Sequence, residues 1–183
     1  MTTSPSPRRA RDLAAGIAAL LALAIPIVLA GVASGDTADS KRVRADLRAV
    51  TARYNAVDQA IADGFAPTDE CAALPGVGGM GYHYVNVDRL LDGVVDPNRP
   101  DILLYASDEQ GRLRLAAVEW FAVDPDQDLT TDHGRPSLFG QPFDGPMPGH
   151  SPGMPIHFDL HAWVWEANPT GTFSAWNPAV SCP

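Results

Sequence analysis

Cysteine is scarce in this chain. Cys71 and Cys182 are the only two, which excludes a thiolate-rich metal site and a fold held by a lattice of disulfides. Basic charge is scarce as well, with 13 Lys+Arg against 22 Asp+Glu and a formal net charge of −9. Arg8, Arg9 and Arg11 lie with Asp12 near the N-terminus, so from Ser34 onward ten basic residues face 21 acidic ones. A domain this acidic repels phosphate backbones and anionic lipid surfaces, and nucleic acid is excluded as a partner. Signatures of nucleophilic and nucleotide chemistry are missing too. There is no G-x-S-x-G and no P-loop, and Ser151 beside His150 has no supporting acid at a recognisable spacing. Residues 76–81 formally match G-x-G-x-x-G, but Pro75 precedes them and a strand-like stretch, 82–87, follows. A dinucleotide fingerprint needs a strand before and a helix after, so these glycines read as a turn. Asp124, Asp126 and Asp128 have calcium-loop spacing, yet Leu129 and Arg135 stand where such a loop needs glycine and glutamate. They read as a solvated acidic turn.

A long apolar run is present only once, over residues 13–33, behind the three arginines and ahead of Ser34-Gly35-Asp36. That order is the signature of an export segment, with Gly31-Val32-Ala33 as a small-x-small cleavage site. At about 20 residues the run is also long enough to span a bilayer, so anchoring through residues 13–33 is the alternative. Either outcome divides the chain into a signal peptide or N-terminal membrane anchor, 1–35, and one globular domain, 36–183, that is exported: secreted, or held on the outer face of the cytoplasmic membrane. Export changes how the two cysteines read. An even count outside the cytoplasm favours one disulfide, Cys71–Cys182.

Over residues 39–63, Val43, Leu47, Val50, Tyr54, Val57 and Ile61 recur at intervals of four and three, which predicts one amphipathic helix. Thr37 or Asp39 would cap it, and Gly64 and Pro67 would end it. Residues 101–106 and 112–123 predict a hairpin around 107–111. Taking Arg112 and Arg114 as outward places Leu113, Leu115, Ala117, Glu119 and Phe121 inward, so Glu119 is a carboxylate on an apolar face. Such a group needs a cation, a metal or a raised pKa. Residues 124–154, rich in Pro, Gly and Asp, carry no periodicity and read as a lid or insertion. The expected class is α+β: an N-terminal amphipathic helix packed on a mainly antiparallel β-sheet, as a sandwich or small barrel.

Residues 155–165 are the most informative stretch. Ile156, Phe158, Leu160, Ala162 and Val164 make one apolar face at period two; His157, Asp159, His161, Trp163 and Trp165 make the other. The second face fits the wall of a cleft better than open water or dry core. Three readings of it stay open. In the first, His83, Glu119, His157, Asp159 and His161 supply nitrogen and carboxylate donors for a divalent transition metal, whose identity the donor types leave undecided. Residues i and i+4 on a strand are about 13 Å apart, so His157 and His161 do not share an ion, whereas either pairs with Asp159. In the second, Tyr82, Tyr84, Trp163 and Trp165, with Trp120 beside them, form a platform for a sugar, lipid or other apolar ligand. In the third the face is structural. Neither an enzymatic step nor an oligomeric state is legible here.

The segments Gly81-Tyr82-His83-Tyr84-Val85-Asn86, residues 160–169 (LHAWVWEANP) and residues 176–182 (WNPAVSC) resemble those of a family of exported bacterial proteins of uncharacterised activity. The likeness spans roughly residues 47–182. It implies export and one compact domain, and it carries over no catalytic residue. A cupin-like metal barrel is the nearest functional analogy, although this chain lacks the His-x-His and downstream Glu of a cupin.

Overall fold

Thr37 caps the first helix, α1 (Ala38–Thr51), by accepting the Ser40 N–H on its Oγ1 at 3.1 Å. The structure is a computed structural model that describes residues 1–2 and 37–183. The apolar run 13–33, with the cleavage and anchoring expected of it, lies outside the described residues. Among those described, no helix is long and apolar enough to cross a membrane.

The single helix expected over 39–63 is interrupted. Thr51 turns its hydroxyl back onto the Leu47 carbonyl at 2.6 Å, residues 52–55 tighten into a 3-10 turn, and Ala56 is extended. The chain resumes as α2 (Val57–Ala62). The break lets Tyr54 enter the core, where its carbonyl oxygen accepts the Tyr105 hydroxyl at 2.6 Å. Competition between a side chain and the helix ladder, resolved by a tertiary hydrogen bond, accounts for the interruption. It also splits the expected stripe: Leu47 and Tyr54 are buried, while Val50 and Ile61 are exposed.

Six strands form one sheet: β1 (Ala66–Leu74), β2 (Gly78–Val85), β3 (Ile102–Ser107), β4 (Leu113–Val123), β7 (Asp144–Met147) and β8 (His157–Trp163). Their order is β1-β2-β3-β4-β8-β7, every pairing antiparallel. A short helix, α3 (Val87–Leu90), lies between β2 and β3, and β5 (Ser137–Leu138) with β6 (Gln141–Pro142) makes a separate two-stranded piece. The sheet stays open, with β1 and β7 as its edges, so the α+β class holds while the barrel does not form. Within 124–154, read as irregular, β7 adds to the sheet beside β8 despite its Gly-Pro pair. The 76–81 glycines form the β1–β2 turn and the start of β2. Gly81 is needed there: its φ is +91°, and a Cβ would stand 2.4 Å from the Tyr105 carbonyl oxygen.

Both faces of the central strands are buried. On one face Tyr84, Leu103, Tyr105, Leu115, Val118, Trp120, Phe158, Leu160 and Val164 pack with Leu47, Tyr54, Ala60 and Phe65 from the helical region. Each such side chain, withdrawn fully from water, contributes about 1.5–3 kcal/mol. On the other face a smaller apolar group, Ile102, Leu104, Ala116, Ala117, Trp163 and Val180, is covered by the C-terminal segment. Asn177 exchanges two backbone hydrogen bonds with Gly79, each 3.0 Å, and Cys71 is disulfide-bonded to Cys182.

One irregularity in β4 decides where its side chains go. Leu104 pairs with Ala117, but the next β3 residue, Tyr105, pairs with Leu115, so Ala116 is an extra residue in β4. Leu115 and Val118 therefore share the large core, whereas Ala117, Glu119 and Phe121 point to the other face. Counting parity from Arg112 and Arg114 put Glu119 with Leu113 and Leu115. The bulge reverses that assignment without exposing the carboxylate, because the second face is buried as well.

Candidate metal centre

Three strands deliver the site to the second face. Glu119 in β4 and His161 in β8 are direct cross-strand partners. Val85 of β2 and Glu119 both pair with Ile102, and His83 lies two residues from Val85 on the same face. His83 thus reaches across β3, over the apolar floor of Ile102 and Leu104. Its Nε2 lies 3.5 Å from Glu119 Oε2, and His161 Nε2 lies 3.6 Å from the same oxygen. One donor atom from each of the three residues lies within 4.8 Å of the other two. The Glu119 and His161 side chains are 5% and 1% exposed and His83 is 16% exposed, so the cluster opens to solvent only on the His83 side.

These separations are too long for hydrogen bonds. The two distances to Glu119 Oε2 are close to the edge of roughly 3.4 Å expected between donors that each stand about 2.1 Å from one tetrahedral ion. Glu119 Oε2 and both ring nitrogens of His161 are buried without a hydrogen-bond partner among the described residues. Each orphaned polar atom of this kind costs about 1–3 kcal/mol, so several in one place call for a physical explanation. The cluster can hold a metal ion, and an ion would satisfy the converging atoms together.

Asp159 stands behind the cluster. Its Oδ1 is 3.6 Å from His161 Nδ1, the nitrogen directed away from Glu119. Carboxylate, imidazole and convergent Nε2 follow one another as in a metal-ligating histidine whose far nitrogen is steered by an acid. The electrostatics differ from one member of the cluster to the next. Burial, then the neighbouring His161 and His150, push His83 down to about 4, so its ring is neutral near pH 7 with a lone pair free. Burial raises the Glu119 carboxyl. Burial alone would lower His161, but Glu119 and Asp159 outweigh it and hold the imidazole proton more tightly than usual.

No family model matches the chain, and no curated protein or solved structure matches it significantly.

The remaining expected site residues fall elsewhere. His157 is buried but outside the cluster; its Nδ1 is 3.1 Å from the Pro155 carbonyl oxygen and its ring stacks on Phe121, centroids 4.7 Å apart. The aromatic platform does not assemble. Trp163 is fully buried on the second face with its indole N–H on the Ser174 carbonyl oxygen at 2.6 Å. Trp165, past the end of β8, turns to the large core, donates to Thr51 Oγ1 at 3.1 Å and lies under the Arg48 guanidinium. Tyr82 and Tyr84 also face the large core, and Trp120 donates its indole N–H to the Asp96 carbonyl oxygen there. Asp124, Asp126 and Asp128 each accept a backbone N–H two residues ahead, as an acidic turn does.

Three groups near the site escaped the sequence reading. Asp144 of β7 pairs with Asp159, and burial followed by Asp159 raises its carboxyl. His150 sets its ring edge against His157, centroids 5.1 Å apart. Both lie in the aperiodic 124–154 stretch, where spacing carries no signal. Asp101 is buried and accepts the Phe121 N–H at 3.0 Å, bracing β4 next to Glu119. Its only sequence mark is a carboxylate at the head of an apolar run.

Proposed function

We propose that this is an exported domain that binds one divalent transition metal ion through His83 Nε2, Glu119 Oε2 and His161 Nε2, with Asp159 orienting His161. The reading is carried by the convergence of three donor residues, of which Glu119 Oε2 and His161 Nε2 are buried with no hydrogen-bond partner among the described residues. Two imidazoles, His161 giving up to the ion the proton it otherwise holds, and one carboxylate suit zinc, iron, manganese and copper alike. The ionised carboxylate offsets half the charge of a divalent ion inside a low-dielectric face, and the ion must displace the proton that burial favours on it. Export is supported by the arginine-led apolar run and by the single disulfide, which belongs to an oxidising compartment. The motif resemblance to exported bacterial proteins points the same way.

Elemental analysis of protein purified from an exporting host, followed by zinc titration of the chelator-stripped chain, tests the reading. One ion per chain, lost in Glu119→Gln and His161→Ala, is expected. Metal-free protein that also refuses zinc, cobalt, manganese and copper in titration overturns it.

A further inference from the structure

The stretch that leads from β7 into β8 has no secondary-structure periodicity, yet it spells one tetrapeptide twice. Met147-Pro148-Gly149-His150 and Met154-Pro155-Ile156-His157 both follow the pattern Met-Pro-x-His. The fold lays the two copies against each other. Gly149 lies so close to the Met154 carbonyl oxygen that a Cβ there would collide with it, and Met147 is the direct β7 partner of His157 in β8. Cross-strand partners share a face with their Cβ atoms about 4.5–5.5 Å apart, so the Met147 thioether and the His157 imidazole stand side by side. His150 completes the group, its ring centroid 5.1 Å from that of His157. Two imidazoles that share one ion at trigonal or tetrahedral angles hold their centroids about 5–5.5 Å apart.

His157 is prepared as a ligand. The Pro155 carbonyl oxygen, 3.1 Å from Nδ1, can only accept, so Nδ1 carries the proton and Nε2 the lone pair. Burial lowers the pKa of this ring, which keeps it neutral. Nε2 is buried and has no hydrogen-bond partner among the described residues, while Phe121 lies flat against the ring and fixes its plane. His150 is exposed, which gives an ion a way in. No carboxylate belongs to the set, because Asp159, two residues along β8, is directed at His161 Nδ1. Two neutral nitrogens and a thioether leave the charge of a divalent ion uncompensated but suit a soft monovalent one.

We infer that His150, His157 and Met147 form a second metal site, selective for copper(I) and separate from the His83–Glu119–His161 centre. Residues four apart on a strand are about 13 Å from one another, so His157 and His161 serve different ions. The second site stands whether or not the first is occupied.

The full chain, stripped of metal, is titrated with copper(I) without oxygen against a chromophoric copper(I) chelator, and separately with zinc. Wild type is expected to hold one copper(I) ion tightly, with nitrogen and one sulfur neighbour in copper K-edge absorption. His150→Ala and Met147→Leu should each weaken copper(I) binding at least tenfold, the second also removing the sulfur signal, while zinc affinity changes less than twofold. Glu119→Gln should leave copper(I) affinity within twofold of wild type. Met154→Leu, which removes a sulfur already engaged by Ser151 Oγ at 3.5 Å, should match wild type. Copper(I) refused by wild type, held as tightly by His150→Ala and Met147→Leu, or lost in Glu119→Gln, overturns the second site. A sulfur signal that survives Met147→Leu and disappears in Met154→Leu overturns the assignment of Met147. Wild type that takes copper(I) at this site but refuses zinc and every other divalent ion overturns the three-residue centre alone. Far-ultraviolet circular dichroism of each variant confirms that a changed affinity comes from folded protein.

Discussion

Glu119 and His161 face one another across the β4–β8 ladder with Oε2 and Nε2 3.6 Å apart, and among the described residues neither atom has a hydrogen-bond partner. A pair placed to meet but not touch is an unstable way to bury charge unless something stands between them. Metal affinity should therefore depend on the carboxylate far more than metal-free folding does. Glu119→Gln keeps the shape and removes the negative oxygen. Zinc affinity should fall at least 100-fold by competition against a chromophoric chelator. An unchanged affinity would mean that the ion sits elsewhere.

Asp159 should matter less and differently. An acid behind a ligating imidazole typically contributes 10–100-fold in metal affinity. Asp159→Asn is expected to weaken zinc binding within that range while retaining one ion per chain. The stoichiometry from isothermal titration separates this role from direct ligation.

The pH dependence of metal-free stability has a defined sign at Asp101. Burial raises its carboxyl to about 6 in the folded chain, against an ordinary value of 3.8. Between those values the folded state holds a proton that the unfolded state has lost. The contribution is therefore fully present below about pH 4 and disappears as pH rises through about 6, amounting to roughly 2–3 kcal/mol. Urea unfolding of wild type and Asp101→Asn between pH 4 and 7 isolates it. The variant should gain on wild type as pH rises, and parallel curves would remove Asp101 from the account.

Cys71 and Cys182, 111 residues apart, close most of the domain into one loop. In the chain-entropy description a loop of this size contributes about 4–5 kcal/mol by restricting the unfolded chain. The Cys71→Ser/Cys182→Ser double variant should lose a comparable amount in denaturant titration. It should also loosen the segment that covers Trp163, seen as faster hydrogen exchange at residues 172–180.

The helical interruption has its own test. Tyr105→Phe leaves the buried Tyr54 carbonyl oxygen without the hydroxyl it accepts from. A loss of about 1–3 kcal/mol is expected, with the metal site untouched.

The fold was legible where alternation is strict and where counting suffices. In β8 the even positions enter the large core and the odd ones the second face, as the period-two pattern implies. The two cysteines, alone in an exported-looking chain, pair as expected. Glu119 was recognisable as a buried carboxylate, but not its side of the sheet, because Leu115-Ala116-Ala117-Val118 is apolar on both faces and hides a bulge. The helix break was hidden for a related reason: a stripe of correct spacing does not reveal that Thr51 will turn against its own ladder. His157 looked equivalent to His161 in sequence and differs only by where β2 and β4 bring their side chains. Contributions from β7 and the 148–153 loop were out of reach, since a segment rich in glycine and proline leaves no periodic trace.

The additional alanine in β4 has a consequence for how this chemistry would be gained or lost. Ala116 stands outside the ladder; were it drawn in opposite Leu104, every later side chain of the strand would change face. Glu119 would then be driven among Trp120's present neighbours, and Trp120 onto the imidazoles. The centre therefore depends on one unpaired residue of the strand as much as on its histidines and its glutamate.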